Sequence, residues 1–103
     1  MKVRCTTIRY SYAGPEEPWE EAVQNFINAL NTDPALKGKF DYQVSIGDDG
    51  VSRVHWGRWD DEETLKAMQS QDYFKTFAEK LRAFAGGPPD FFGANIRFKT
   101  KSW

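Results

Sequence analysis

The chain has 103 residues, with 14 basic residues against 15 acidic ones and a formal net charge of −1. That balance gives no electrostatic case for nucleic acid or an anionic membrane surface as a partner. The single cysteine, Cys5, excludes an internal disulfide and any multi-thiolate metal site.

With 40% hydrophobic and 16% aromatic residues, the sequence reads as one domain, 1–103, with material for a core and for a second apolar surface. No apolar run is long enough for a signal peptide or a membrane span, so a cytoplasmic location is expected.

Residues 2–12 alternate and are rich in Val, Ile, Thr and Tyr, which predicts a first strand. "AGPEEP" breaks it. Pro18 suits the first turn of a helix, and Glu16, Glu17, Glu20 and Glu21 sit where the helix dipole favours negative charge. Trp19, Ala22, Val23, Phe26, Ile27 and Leu30 follow the spacing of one apolar helix face, and Asn31, Asp33 and Pro34 end it.

A second strand puts Phe40, Tyr42, Val44 and Ile46 on one side. "GDDG" makes a hairpin turn into a third strand over residues 51–59. Asp60 and Glu63 have capping-box spacing and predict the next helix start. Ser70 and Asp72 interrupt that helix, and "GGPPD" stops it. A last strand over 91–100 places Phe92, Ala94, Ile96 and Phe98 on one face.

The resulting β-α-β-β-α-β order is the α+β, ferredoxin-like plan, an antiparallel four-stranded sheet with both helices on one face. Ile8, Tyr10, Val54 and Trp56 on one parity, with Cys5, Val51 and Trp59 on the other, put apolar groups on both sides of the sheet. Pairing two bare faces about a two-fold axis would cover the outer one, so a homodimer is expected.

The element order and the segment "WGRWDDEETLKAMQSQDYFKTF" resemble the dimeric α/β barrels of the antibiotic-biosynthesis-monooxygenase (ABM) type. The shared motif is Trp59, Asp60, Glu63, Ser70, Asp72, Phe74 and Lys75. The haem-degrading branch of that family needs an axial histidine, a helical Trp and a strand-one Asn. Counted from Trp59, those places hold Ala78, Met68 and a residue near Ile8, which argues against haem degradation. The cofactor-free branch, which oxidises phenols, hydroquinones or polyketide aromatics, resembles this chain at Trp59. Some members carry a polar side chain where His55 stands, and a Tyr where this chain has Leu65.

The resemblance implies cofactor-free oxygenation of a small aromatic, quinol or polyketide-like substrate, with no cofactor or metal. His55, the only histidine, is the candidate general base or hydrogen-bonder, since an ordinary imidazole is half deprotonated near pH 6.5. Trp59, Tyr10, Arg53, Leu65, Met68, Phe74 and Phe77 are the expected pocket, with Arg53 placed to steady an enolate and Arg58 to pair with acids at the helix start. Tyr10, Tyr42 and Tyr73 are candidate donors to a substrate oxygen; each is equally an amphipathic rim residue. The bland reading makes His55 a structural histidine and Trp56 and Trp59 core residues. The matching rival function is a non-catalytic dimeric barrel that binds a small hydrophobic ligand or serves a stress-related role.

Overall fold

Strict alternation in "SRVHWGRW" sets the frame: Arg53, His55, Gly57 and Trp59 are buried, while Ser52, Val54, Trp56 and Arg58 are only partly covered. A period of two along a strand means one buried face. The computed structural model describes residues 3–101. Its elements run β1 (Arg4–Ser11), α1 (Glu16–Thr32), β2 (Phe40–Ile46), β3 (Ser52–Trp59), α2 (Glu62–Gln69), α3 (Asp72–Ala85) and β4 (Asp90–Asn95). The sheet order is β2-β3-β1-β4 and each neighbouring pair is antiparallel, the ferredoxin-like arrangement expected.

Register corrects the predicted faces. Ile8 lies opposite His55 and Tyr10 opposite Arg53, so both belong to the inner face with Trp59. Directly opposed residues of an antiparallel pair share a side. The expected grouping of Ile8 and Tyr10 with Val54 and Trp56 therefore does not hold, because parity along one strand carries no information about its pairing to another. Cys5 pairs with Arg58 and so lies outward, away from Trp59, and Val51 precedes the strand.

β4 is also shorter than predicted. It ends at Asn95, so Ile96, Arg97 and Phe98 lie beyond the strand, and Phe98 is fully in solvent at 92% exposure. Phe92 and Ala94 pair with Thr7 and Cys5 on the outer face, and Phe91 and Gly93 point inward. The predicted start of the first strand at Lys2 falls outside the described residues.

α1 buries Trp19, Ala22, Phe26 and Leu30, the spacing read from sequence. Its Phe26 ring stacks on Phe77 of α3 at 4.1 Å with the planes 3° apart. Around that contact sit Leu30, Phe40, Trp59, Met68 and Leu81, with Leu36 of the α1–β2 connection fully buried among them. Tyr73 is pinned elsewhere: its hydroxyl donates to Asp33 at 2.7 Å, tying the start of α3 to the end of α1.

The helix break falls where Ser70 and Asp72 predicted it. The Ser70 N–H closes the last turn on Lys66, and its hydroxyl donates to the Ala67 carbonyl. Gly86, at φ 76°, then ends α3, with the Gly87 N–H returning to Arg82. In the β2–β3 turn the Asp49 carboxylate accepts from Val51 and Ser52, which holds its pKa down to about 2.

The cap of α2 is one residue later than the spacing implied. Asp61, not Asp60, accepts from the Thr64 N–H (2.8 Å) and hydroxyl, while Asp60 instead pairs with Arg58. Asp61→Ala should therefore lower the thermal midpoint by roughly 5 °C, and Asp60→Ala by clearly less, in parallel melts followed by circular dichroism. Equal shifts would return the cap to Asp60.

Candidate functional site: an aromatic pocket backed by a buried hydrogen-bond chain

Two polar side chains occupy inner-face positions of β3 that an apolar residue would fill most easily. Arg53 and His55 are both 0% exposed. Burying such groups is tolerable only where partners replace water.

For Arg53 the partners come from α1 and the turns. Its guanidinium donates to both carboxylate oxygens of Glu16, one at 3.0 Å, and to the carbonyls of Tyr12 and Gly50. Trp19 covers its face, with the ring centroid 4.2 Å from the guanidinium carbon. The bond to Arg53 holds the Glu16 carboxyl below its ordinary pKa. Arg53 is thus spent on anchoring α1.

For His55 the partners are phenols. Nε2 lies 2.7 Å from the Tyr10 hydroxyl and Nδ1 2.9 Å from the Tyr42 hydroxyl. The Trp19 indole N–H donates to the same Tyr10 oxygen at 2.8 Å. Burial lowers the His55 pKa to about 4, so the ring is neutral at pH 7. Burial likewise raises both phenols, so Tyr10 and Tyr42 keep their protons.

Gly57 explains how Tyr42 reaches across. A Cβ there would lie 3.1 Å from the Tyr42 ring, so the missing side chain lets the ring cross β3 from β2 toward His55.

Beside this chain lies a pocket of about 870 Å³. It lies between the inner face of the sheet and the helices α2 and α3. Its floor is Thr6, Ile8, Phe40, Tyr42 and Trp59, and its roof is Leu65, Met68, Phe74, Phe77 and Leu81. Arg4, Arg82, Phe91 and the acids Asp60–Glu62 surround the approach. Phe40 and Trp59 stack at 5.7 Å along the floor. The Trp59 indole N–H is buried without a hydrogen-bond partner among the described residues. Such an orphan costs about 1–3 kcal/mol.

The predicted pocket residues therefore divide. Trp59, Leu65, Met68, Phe74 and Phe77 come together around one cavity. Tyr10 and Arg53 do not line it, and neither does His55, which sits behind Ile8, Tyr42 and Phe77. Arg53 has no access to an enolate there, and Tyr73 is engaged with Asp33. Trp19, Glu16, Gly57 and Leu36 escaped the sequence reading as site or framework residues. The only signals for them were an aromatic within the apolar face of the first helix, an acid in its first turn, a glycine inside a strand and an isolated leucine in a polar linker. No group of three or more His, Cys, Asp or Glu side chains suited to a metal occurs among the described residues.

No family model and no curated protein matches this sequence. Solved structures do match along nearly the whole chain. SnoaB, a cofactor-independent oxygenase from Streptomyces nogalater, aligns with TM-score 0.69 and 16% identity over 98% of this chain and 97% of its own. The monooxygenase ActVA-Orf6 of Streptomyces coelicolor, solved with nanaomycin D, aligns with TM-score 0.73 and 16% identity over 96% of this chain and 91% of its own. A proposed antibiotic biosynthesis monooxygenase from Caulobacter crescentus gives TM-score 0.73 and 15% identity, covering 94% of this chain and 92% of its own.

The chain has the ABM-type fold.

At these identities the likeness concerns the backbone, and an ABM-type scaffold is compatible with many chemistries.

The histidine carries a measurable signature. Its folded pKa of about 4 lies below the ordinary 6.5, so the unfolded chain takes up the proton first as pH falls. Stability should be flat above pH 6.5 and fall by up to about 3 kcal/mol between 6.5 and 4. The wild-type minus His55→Gln difference in urea-melt free energy should show that slope. A flat difference would mean His55 is hydrated.

Proposed function

We propose that the chain is an ABM-like small-molecule monooxygenase that works without a cofactor on an aromatic, quinol or polyketide-like substrate. The observation that carries this reading is the pocket: about 870 Å³, with a floor and roof built largely of the aromatic rings of Phe40, Tyr42, Trp59, Phe74 and Phe77. That volume suits a fused-ring molecule. The structural likeness to a cofactor-independent oxygenase and to a monooxygenase solved with nanaomycin D adds support.

In such chemistry the substrate, as its own anion, passes one electron to dioxygen. The radical pair combines to a peroxide at carbon, and loss of water leaves a carbonyl. Proton removal is then the step the protein must help. His55 is a weak candidate for it: with a pKa near 4 it stands about six units below a simple phenol, a gap of roughly 8 kcal/mol. The substrate class that fits is consequently the acidic end of the range, a β-diketone, anthrone or acidic hydroquinone whose anion is accessible near neutrality.

The burial of His55 favours one rival, a non-catalytic barrel that binds the same kind of ligand. In either case we infer a cytoplasmic homodimer joined through the outer sheet face. There Val54, Trp56 and Ala94 are half-buried, and Phe92 is 68% exposed.

Dioxygen uptake with a panel of anthrones and hydroquinones decides between the two. The oxygenase consumes one dioxygen per substrate, and Trp59→Phe, which removes one ring of the pocket floor, cuts kcat/KM by about tenfold. Ligand binding without uptake selects the rival. Sedimentation equilibrium should give twice the chain mass at micromolar concentration, and Phe92→Lys should shift it toward the monomer.

A further inference from the structure

The chain from Trp19 to Tyr42 contains one more hydrogen than it can use. Its four donors are the Trp19 N–H, the Tyr10 O–H, one ring N–H of neutral His55 and the Tyr42 O–H. They meet in only three hydrogen bonds. One hydrogen must be left over, on one of the two tyrosines.

If His55 Nε2 carries the proton, it donates to Tyr10, whose oxygen then accepts from both Trp19 and His55. The stranded hydrogen is then that of Tyr10, a residue outside the pocket with no other partner among the described residues. If Nδ1 carries it, every bond runs the same way, from Trp19 to Tyr10 to His55 to Tyr42. The spare hydrogen is then on Tyr42, which lines the pocket. The Tyr10 oxygen sits between Trp19 and His55, both buried, whereas a ligand in the pocket can offer an acceptor to Tyr42 alone, so a ligand oxygen selects the second direction.

We propose that Tyr42 is the ligand-binding donor of the pocket: its hydroxyl donates to a carbonyl or anionic oxygen of an aromatic ligand, oriented by the Trp19–Tyr10–His55 chain behind it. This deepens the proposed function and rests on the same pocket. It makes His55 a positioning residue that acts through Tyr42. It also makes the site selective for an oxygen that accepts, such as a ketone, quinone or enolate, over a hydrocarbon of the same shape. The raised pKa of Tyr42 agrees, since the phenol stays protonated and able to donate.

The experiment compares 2-acetylnaphthalene with 2-ethylnaphthalene, binding by calorimetry and, for the ketone, the infrared stretch of the bound carbonyl. Tyr42→Phe should weaken the ketone about tenfold, leave the hydrocarbon unchanged and raise the carbonyl frequency. Gly57→Ala keeps the hydroxyl but pushes the Tyr42 ring aside, and should cause the same loss of selectivity in smaller measure. His55→Gln should move the carbonyl frequency although residue 55 does not line the pocket. Equal weakening of both probes, or an unmoved frequency in all three variants, would overturn the role of Tyr42 while leaving the pocket intact. Failure of either probe to bind the wild type would overturn the pocket reading and this inference together.

Discussion

Burying Arg53 and His55 on the inner face of β3 is the constraint from which the rest of the architecture follows. Neither side chain can be left dry and unpaired. Arg53 draws Glu16 and Trp19 onto itself, and this fixes the start of α1 over the sheet. Trp19, so placed, can donate to Tyr10, and Tyr10 and Tyr42 close on the two nitrogens of His55. A purely apolar strand would have held the helix by contact area alone, with less say over its angle and register.

The pocket is a consequence of the same arrangement. α1 is anchored on Arg53 of β3, and α3 stacks on α1 through Phe26 and Phe77, with the pocket between α2, α3 and the inner face of the sheet. Its walls are side chains of the core itself, Phe26, Phe40, Trp59, Met68, Phe77 and Leu81. The polar chain and the pocket meet at one residue, Tyr42, whose path across β3 depends on the absence of a side chain at Gly57. The network thus has a structural half at Trp19 and Arg53 and a ligand-facing half at Tyr42.

That division changes what the lone histidine means. A histidine on an aromatic strand invites the role of base. Full burial depresses its pKa and blocks its approach, and both nitrogens are already engaged. What chemistry remains falls to the ligand's own acidity and to donors on the pocket wall. This is why the acidic end of the phenol and diketone range fits the site best.

Local pattern was enough to determine the element order, the hairpin at Gly47–Gly50, the break near Ser70 and the buried stripe of α1. Each of these depends on a period of two or 3.6, or on turn chemistry within a few residues. It also brought Trp59, Leu65, Met68, Phe74 and Phe77 into one candidate pocket, since they sit on consecutive elements with a common apolar face. Where two chain segments meet, sequence alone was mute. The pairing of β1 with β3 decided that Ile8 and Tyr10 face inward. The docking of α1 decided that Arg53 is an anchor. The diagonal reach of Tyr42 over Gly57 decided that His55 stands behind the pocket instead of in it. Those are contacts between residues far apart in the chain, set by register and packing, and no spacing along one segment encodes them.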